Sequence, residues 1–99
     1  MVRIVLADPD AKERNRLRQH LSDGQHQEVV GLARDGQEAV QLTLQMKPDL
    51  VLLASRMPVI DGYHAAEMIS QLNYGGRELA VRSSPRAIRR TASGSRRKP

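Results

Sequence analysis

Three apolar runs alternate along the first 73 residues with stretches whose apolar positions recur every three or four. Val2 to Ala7 (VRIVLA) is β-branched and apolar, with Arg3 its one charge, and predicts a buried strand. Asp8-Pro9-Asp10 breaks that run. Asp10, with Glu13 three residues on, matches a capping box. Leu17 and Leu21, with Ala11 and the stem of Arg14, then give one apolar face to a helix over about residues 11–22, which Ser22-Asp23-Gly24 ends. Glu28 to Ala33 (EVVGLA) predicts a second strand, in which Gly31 marks close packing. Asp35 and Glu38 repeat the capping pattern ahead of a helix from Gly36 to Met46. Ala39, Val40, Thr43 and either Leu42 or Leu44 face its core side, and Lys47-Pro48 stops it. Asp49 to Ala54 is a third strand, and its unbroken LVLLA implies burial on both faces. Beyond the loop from Ser55 to Asp61, residues Ala65, Met68, Ile69 and Leu72 share one helical face.

Strands and helices that alternate in this way imply parallel pairing, right-handed crossovers and helices on both sheet faces. A functional site in such a sheet lies at the carboxyl ends of the strands. Asp8, Asp10 and Ala54 stand at those ends.

Residues 74–99 change in kind. They are rich in Arg, Ser and Gly, carry weak apolar periodicity, and predict disorder apart from a helical turn over Glu78 to Val81. The charge divides at the same place. Residues 1–73 hold eight Lys/Arg against ten Asp/Glu, whereas residues 74–99 hold eight against one. The net charge of +5 therefore belongs to the tail. A tail of this kind attracts anionic polymers or lipid through Arg77, Arg82, Arg86, Arg89, Arg90, Arg96, Arg97 and Lys98. Tyr74 is its one aromatic residue for base stacking. A solvated tail without a partner is the plainer reading.

Composition narrows the remaining chemistry. Ninety-nine residues without Phe or Trp allow one small aliphatic core. Cysteine is absent, which excludes disulfides and thiolate catalysis and agrees with a cytoplasmic setting. No apolar run spans a membrane, and no leader pattern opens the chain. His20, His26 and His64 do not stand at metal-ligand spacing, and Gly75-Gly76 lacks the flanks of a phosphate loop. Ser55 has no base at a readable spacing, and His64 is the one imidazole placed to approach Ala54. No complete acid–base or metal constellation is present, so the expectation is a protein that is not an enzyme.

Residues 48–62 (PDLVLLASRMPVIDG) resemble the phosphorylation loop of a two-component response-regulator receiver domain. VRIVLADPDAKERNRLRQHL and EVVGLARDGQEAV are similar to that family's first strand and helix and to its second strand, turn and helix. The likeness covers about residues 2–73 and implies a flavodoxin-like α/β fold. It further implies that Ala54 stands where the family places its phosphoacceptor aspartate, so the nucleophile is lost. Asp8 falls on the first of two acids that hold Mg²⁺ in the family. Pro9 occupies the second, and Asp10 lies one residue beyond. Asp8 and Asp10 are then a remnant acidic pocket, with a strand-end turn and a helix cap as their plainer roles, and the expectation is that no Mg²⁺ or other cofactor is retained, since a hard cation needs several oxygen ligands. Met57, Pro58, Asp61 and Gly62 remain of the phosphorylation loop, with loop geometry and a helix start as their plainer roles.

The family's fourth and fifth strands, and its later Ser/Thr and Lys, find no counterpart in the sequence. The resulting picture is a degenerate, truncated receiver domain of residues 1–73 with three strands in the order 2-1-3 and three helices, followed by a basic disordered tail. Asp49–Ala54 would then be an apolar edge open to self-association. The resemblance implies phosphorelay signalling through a histidine kinase or another receiver domain, as a module independent of phosphorylation. The alternatives are a small nucleic-acid-binding protein acting through the tail, or a nonfunctional frame-shifted receiver fragment.

Overall fold

The computed structural model describes residues 1–22, 26–72, 78–82 and 88–92, the last five as backbone only. The elements are β1 (Val2–Ala7), α1 (Ala11–Leu21), β2 (Gln27–Ala33), α2 (Gly36–Met46), β3 (Leu50–Ala54), α3 (Gly62–Gln71), β4 (Glu78–Arg82) and β5 (Ile88–Ala92). They form one sheet in the order β2-β1-β3-β4-β5. The first four of these are mutually parallel and β5 runs antiparallel to β4. The α/β architecture with three helices and the β2-β1-β3 order are those the sequence pattern predicts.

The strand count is corrected from three to five, with β4 and β5 both inside the expected disordered tail. Glu78–Arg82 is a fourth strand, not a helical turn in a disordered tail, and it pairs with β3 from Leu50↔Glu78 to Ala54↔Arg82. The short apolar run Leu79-Ala80-Val81 suffices because β3 offers it a full ladder and both sheet faces bury it. The expected exposed edge at Asp49–Ala54 is corrected with it. β3 is central, bonded to β1 on one side and β4 on the other.

Period-two alternation divides the buried residues between two layers. Val5, Ala7, Val51, Leu53, Leu79 and Val81 point toward α2 and α3, which contribute Ala39, Val40, Ala65, Ala66 and Ile69. Leu6, Leu52 and Ala80 point the other way, where Leu17 and Leu21 of α1 pack on them. The α1 helix has no fully buried residue, and Arg and Lys stems make up much of its surface. In α2 the inward leucine is Leu42, whereas Leu44 is exposed. In α3 the expected Met68 and Leu72 are exposed, and Ala66 takes the inner place beside Ala65 and Ile69. The small alanines let α3 lie close to the sheet, which leaves Met68 and Leu72 outside the contact.

Each helix starts at an aspartate. Asp10, Asp35 and Asp61 accept from the backbone N–H groups of Lys12, Glu38 and His64 at 3.0, 2.8 and 2.8 Å. The first capping box is corrected in one respect. The Asp10 N–H donates to Asp8 Oδ1 at 2.9 Å, so the N-cap amide is already satisfied and Glu13 is free to turn elsewhere. No helix among the described residues is long and apolar enough to cross a membrane.

Candidate functional site

The carboxyl ends of β1, β3 and β4 lie side by side and present Asp8, Ala54 and Arg82. Asp8 is buried at 5% exposure and is held from several directions. Its N–H donates to the Ala33 carbonyl at 3.0 Å, extending the β1–β2 ladder by one residue. Its carbonyl accepts from Arg14 Nη1 at 2.8 Å. Its Oδ1 takes the Asp10 N–H, and its Oδ2 takes Arg82 Nη1 at 3.2 Å.

Arg82 corrects the expectation of a solvated cationic tail. It is only 9% exposed and carries its guanidinium back over the sheet end. Nη1 reaches Asp8, and Nη2 donates to Glu13 Oε2 on α1. Glu13 also binds Arg16, with Nε–Oε1 at 3.0 Å and Nη2–Oε2 at 2.7 Å. The hydrogen bond from Arg16, with both guanidinium charges and the Arg82 contact adding to it, pulls the Glu13 carboxyl from 4.5 down to about 2. Glu13 therefore stays ionised far into acid. The sequence did contain a signal for Arg82, since ELAVR is an apolar run closed by charges at both ends. The Arg/Ser/Gly-rich surroundings masked it.

Ala54 ends β3 between the other two residues, half-buried, and its methyl carries neither nucleophile nor acceptor. The loop after it is held close. The Ser55 N–H donates to the Arg82 carbonyl and the Gly62 N–H to the Ser55 carbonyl, both at 2.9 Å. Gly62 is required there, because a Cβ would stand 2.1 Å from the Ala54 carbonyl oxygen. Gly36 has the same role at the start of α2, where a Cβ would stand 2.0 Å from the Ile60 carbonyl oxygen. Gly62→Ala is expected to cost about 2–3 kcal/mol through the forced backbone shift, read as a lower urea midpoint at unchanged slope. A wild-type midpoint would mean that the loop is not seated on β3 as described.

The other loop residues have structural roles. Met57 packs on the main core while Pro58 is exposed. Val59, between Pro58 and Ile60, adopts φ 69°, with the Ile60 N–H donating to the Pro58 carbonyl at 2.8 Å. This is a strained γ-turn for a β-branched residue. Asp61 caps α3 and pairs with His64 at 3.0 Å, so His64 faces Asp61 rather than Ala54. The backbone N–H of His64 is the leading cause of the lowered Asp61 pKa, and the Asp61 carboxylate raises that of His64. Of the remaining tail cations, Arg89 and Arg90 lie in β5, opposite Val81 and Ala80. Arg77, Arg86, Arg96, Arg97 and Lys98 lie outside the described residues.

Comparison with known proteins agrees with this fold. The family model described as the response regulator receiver domain matches residues 4–85. A protein-glutamate methylesterase/protein-glutamine glutaminase of Caldanaerobacter subterraneus is 37% identical over 71 residues, which are 72% of this chain and 19% of that protein. Its counterpart numbered 5 in Myxococcus xanthus is 34% identical over 83 residues, 84% of this chain and 24% of that protein. The chain thus spans about a fifth to a quarter of the length of these curated relatives. Among solved structures, the response regulator domain of Thermotoga maritima CheB aligns with a TM-score of 0.70 at 31% identity, covering 72% of this chain and 53% of that one. A LuxR-family two-component response regulator from an Aurantimonas species aligns with a TM-score of 0.77 at 27% identity, covering 82% and 57%. The matched residues run from within β1 to beyond β4; this chain belongs to the response regulator receiver domain family of two-component phosphorelay signalling.

Proposed function

We propose that this chain is a pseudo-receiver: a receiver-fold interaction module of phosphorelay signalling that takes no phosphoryl group at the family's site and is not itself an enzyme. The observation that carries this reading is Ala54 at the end of β3, in the place the resemblance assigns to the phosphoacceptor. Transfer of a phosphoryl group needs an in-line oxygen nucleophile and positioned positive charge. A methyl group supplies no oxygen.

The same sheet end is a poor host for Mg²⁺. Such an ion asks for octahedral oxygen ligands and commonly carboxylates. Here Asp8 has one oxygen on an amide and the other on a guanidinium. Pro9 and Ala54 offer no side-chain oxygen, and Asp10 is engaged as the α1 cap. Partner binding would rest on shape and surface charge, with a histidine kinase or another receiver domain as the partner class.

Incubating the full chain with a small acyl phosphate and Mg²⁺, followed by intact mass measurement, tests the reading. The expected mass is that of the untreated chain. A gain of one phosphoryl group that hydroxylamine removes would show a carboxyl phosphoacceptor and end the proposal.

A further inference from the structure

We propose that Arg82 is a resident cation of the acidic sheet end: its guanidinium, passing over Ala54, bridges Asp8 to Glu13, stands where the family's divalent ion would meet Asp8, and holds the site shut without metal or phosphate. This inference rests on the pseudo-receiver reading and supplies its regulation, which is a single, permanently closed state.

Three observations support it. The first is position. β1 and β4 flank β3, so their ends are roughly 10 Å apart at ordinary strand spacing. Arg82 still reaches Asp8 at 3.2 Å, and the residue paired beside it on the intervening strand is Ala54. A small side chain at 54 leaves the guanidinium its path. A carboxylate there would stand in that path and compete for the same charge.

The second is valence. One planar guanidinium donates to two carboxylates through separate nitrogens, a geometry suited to Arg and not to Lys. With Arg16 also on Glu13, the two carboxylates meet two guanidinium charges that the protein itself supplies. The third is burial. The Arg82 side chain is 8% exposed, and Asp8 is 7% exposed at its side chain. An incoming cation would have to displace a buried, like-charged group, and that displacement leaves a desolvated charge unpaired. The contacts join β4, β1 and α1, elements 69 and 74 residues apart in the chain.

Manganese-induced broadening of backbone amide signals in the full chain tests this. For the wild type at millimolar Mn²⁺, the Asp8, Asp10 and Ala54 amides are expected to keep the same relative intensity as the remote Thr43 amide. Arg82→Met keeps the apolar stem and releases the contacts on Asp8 Oδ2 and Glu13, two carboxylates that with water can hold Mn²⁺ weakly at millimolar concentration, so those three signals are expected to be lost selectively. Selective loss in the wild type would overturn the proposal. So would a folded Arg82→Met chain that responds to Mn²⁺ as the wild type does.

Should Arg82→Met fail to fold, the wild-type guanidinium decides. Separate, slowly rotating Nη proton signals for Arg82 that do not move with Mg²⁺ support the lock. A single averaged signal, or one that shifts with Mg²⁺, overturns it. A phosphoryl mass gain with the cation site still closed would defeat the pseudo-receiver reading alone. Cation entry without phosphoryl gain would defeat the lock alone.

Discussion

Leu79→Ala is expected to destabilise the domain by about 2–5 kcal/mol, the range for truncating a fully buried leucine. Leu79 is 0% exposed and belongs to the main core with Val51, Val81 and Ile69. The domain is small, and stabilities of natural domains run from about 5 to 15 kcal/mol, so this single change removes a large fraction of the total. Urea unfolding followed by circular dichroism reads the effect directly as a shifted midpoint. Ending the chain after residue 77 carries the same logic further. It removes Leu79 and Val81 from one layer and Ala80 from the other, and it leaves β3 with an unpaired apolar edge. The expected product unfolds without cooperativity or associates. A cooperative, monomeric 1–77 chain, or a Leu79→Ala cost under about 1 kcal/mol, would show that β4 is not part of the working core.

The second large effect is electrostatic. Asp8→Ala strands the Arg82 guanidinium in a buried position, with the more exposed Glu13 as its remaining carboxylate among the described residues. Removing one partner of a buried pair costs about 3–5 kcal/mol, because the other charge stays desolvated and uncompensated. Replacing both by groups of similar volume is far milder. Asp8→Ala combined with Arg82→Met is therefore expected to be more stable than the sum of the single losses. The difference should lie within the coupling range of about 0.5–3 kcal/mol found for contacting residues. Four urea unfolding curves at one pH complete the cycle. Strict additivity would mean that the two side chains do not meet in solution.

These two tests fall on the part of the molecule that the sequence left obscure. The three strands and three helices up to residue 72 are legible because their signals are local. VRIVLA and LVLLA are long enough to stand out, and each helix opens on an aspartate whose side chain caps it. β4 has no such local signature. It is three apolar residues between a glutamate and an arginine, surrounded by glycine, serine and more arginine. It becomes a strand through the ladder that β3 offers and through burial on both faces, and neither is a property of its own residues.

The site divides in the same way. That Ala54 cannot serve as a nucleophile, that the Pro9 side chain offers a cation no oxygen and that Asp8 ends a strand are facts of covalent chemistry and local pattern, readable from the chain alone. Charge counted along the chain, however, places Arg82 in a solvated basic tail and Glu13 in a capping box. Only the tertiary structure brings them together, because a guanidinium finds its partner by distance in space across 69 and 74 residues of sequence. The same physical rule placed one arginine of the tail in the interior: a buried carboxylate at Asp8 requires a compensating charge, and the strand order delivers Arg82 to supply it.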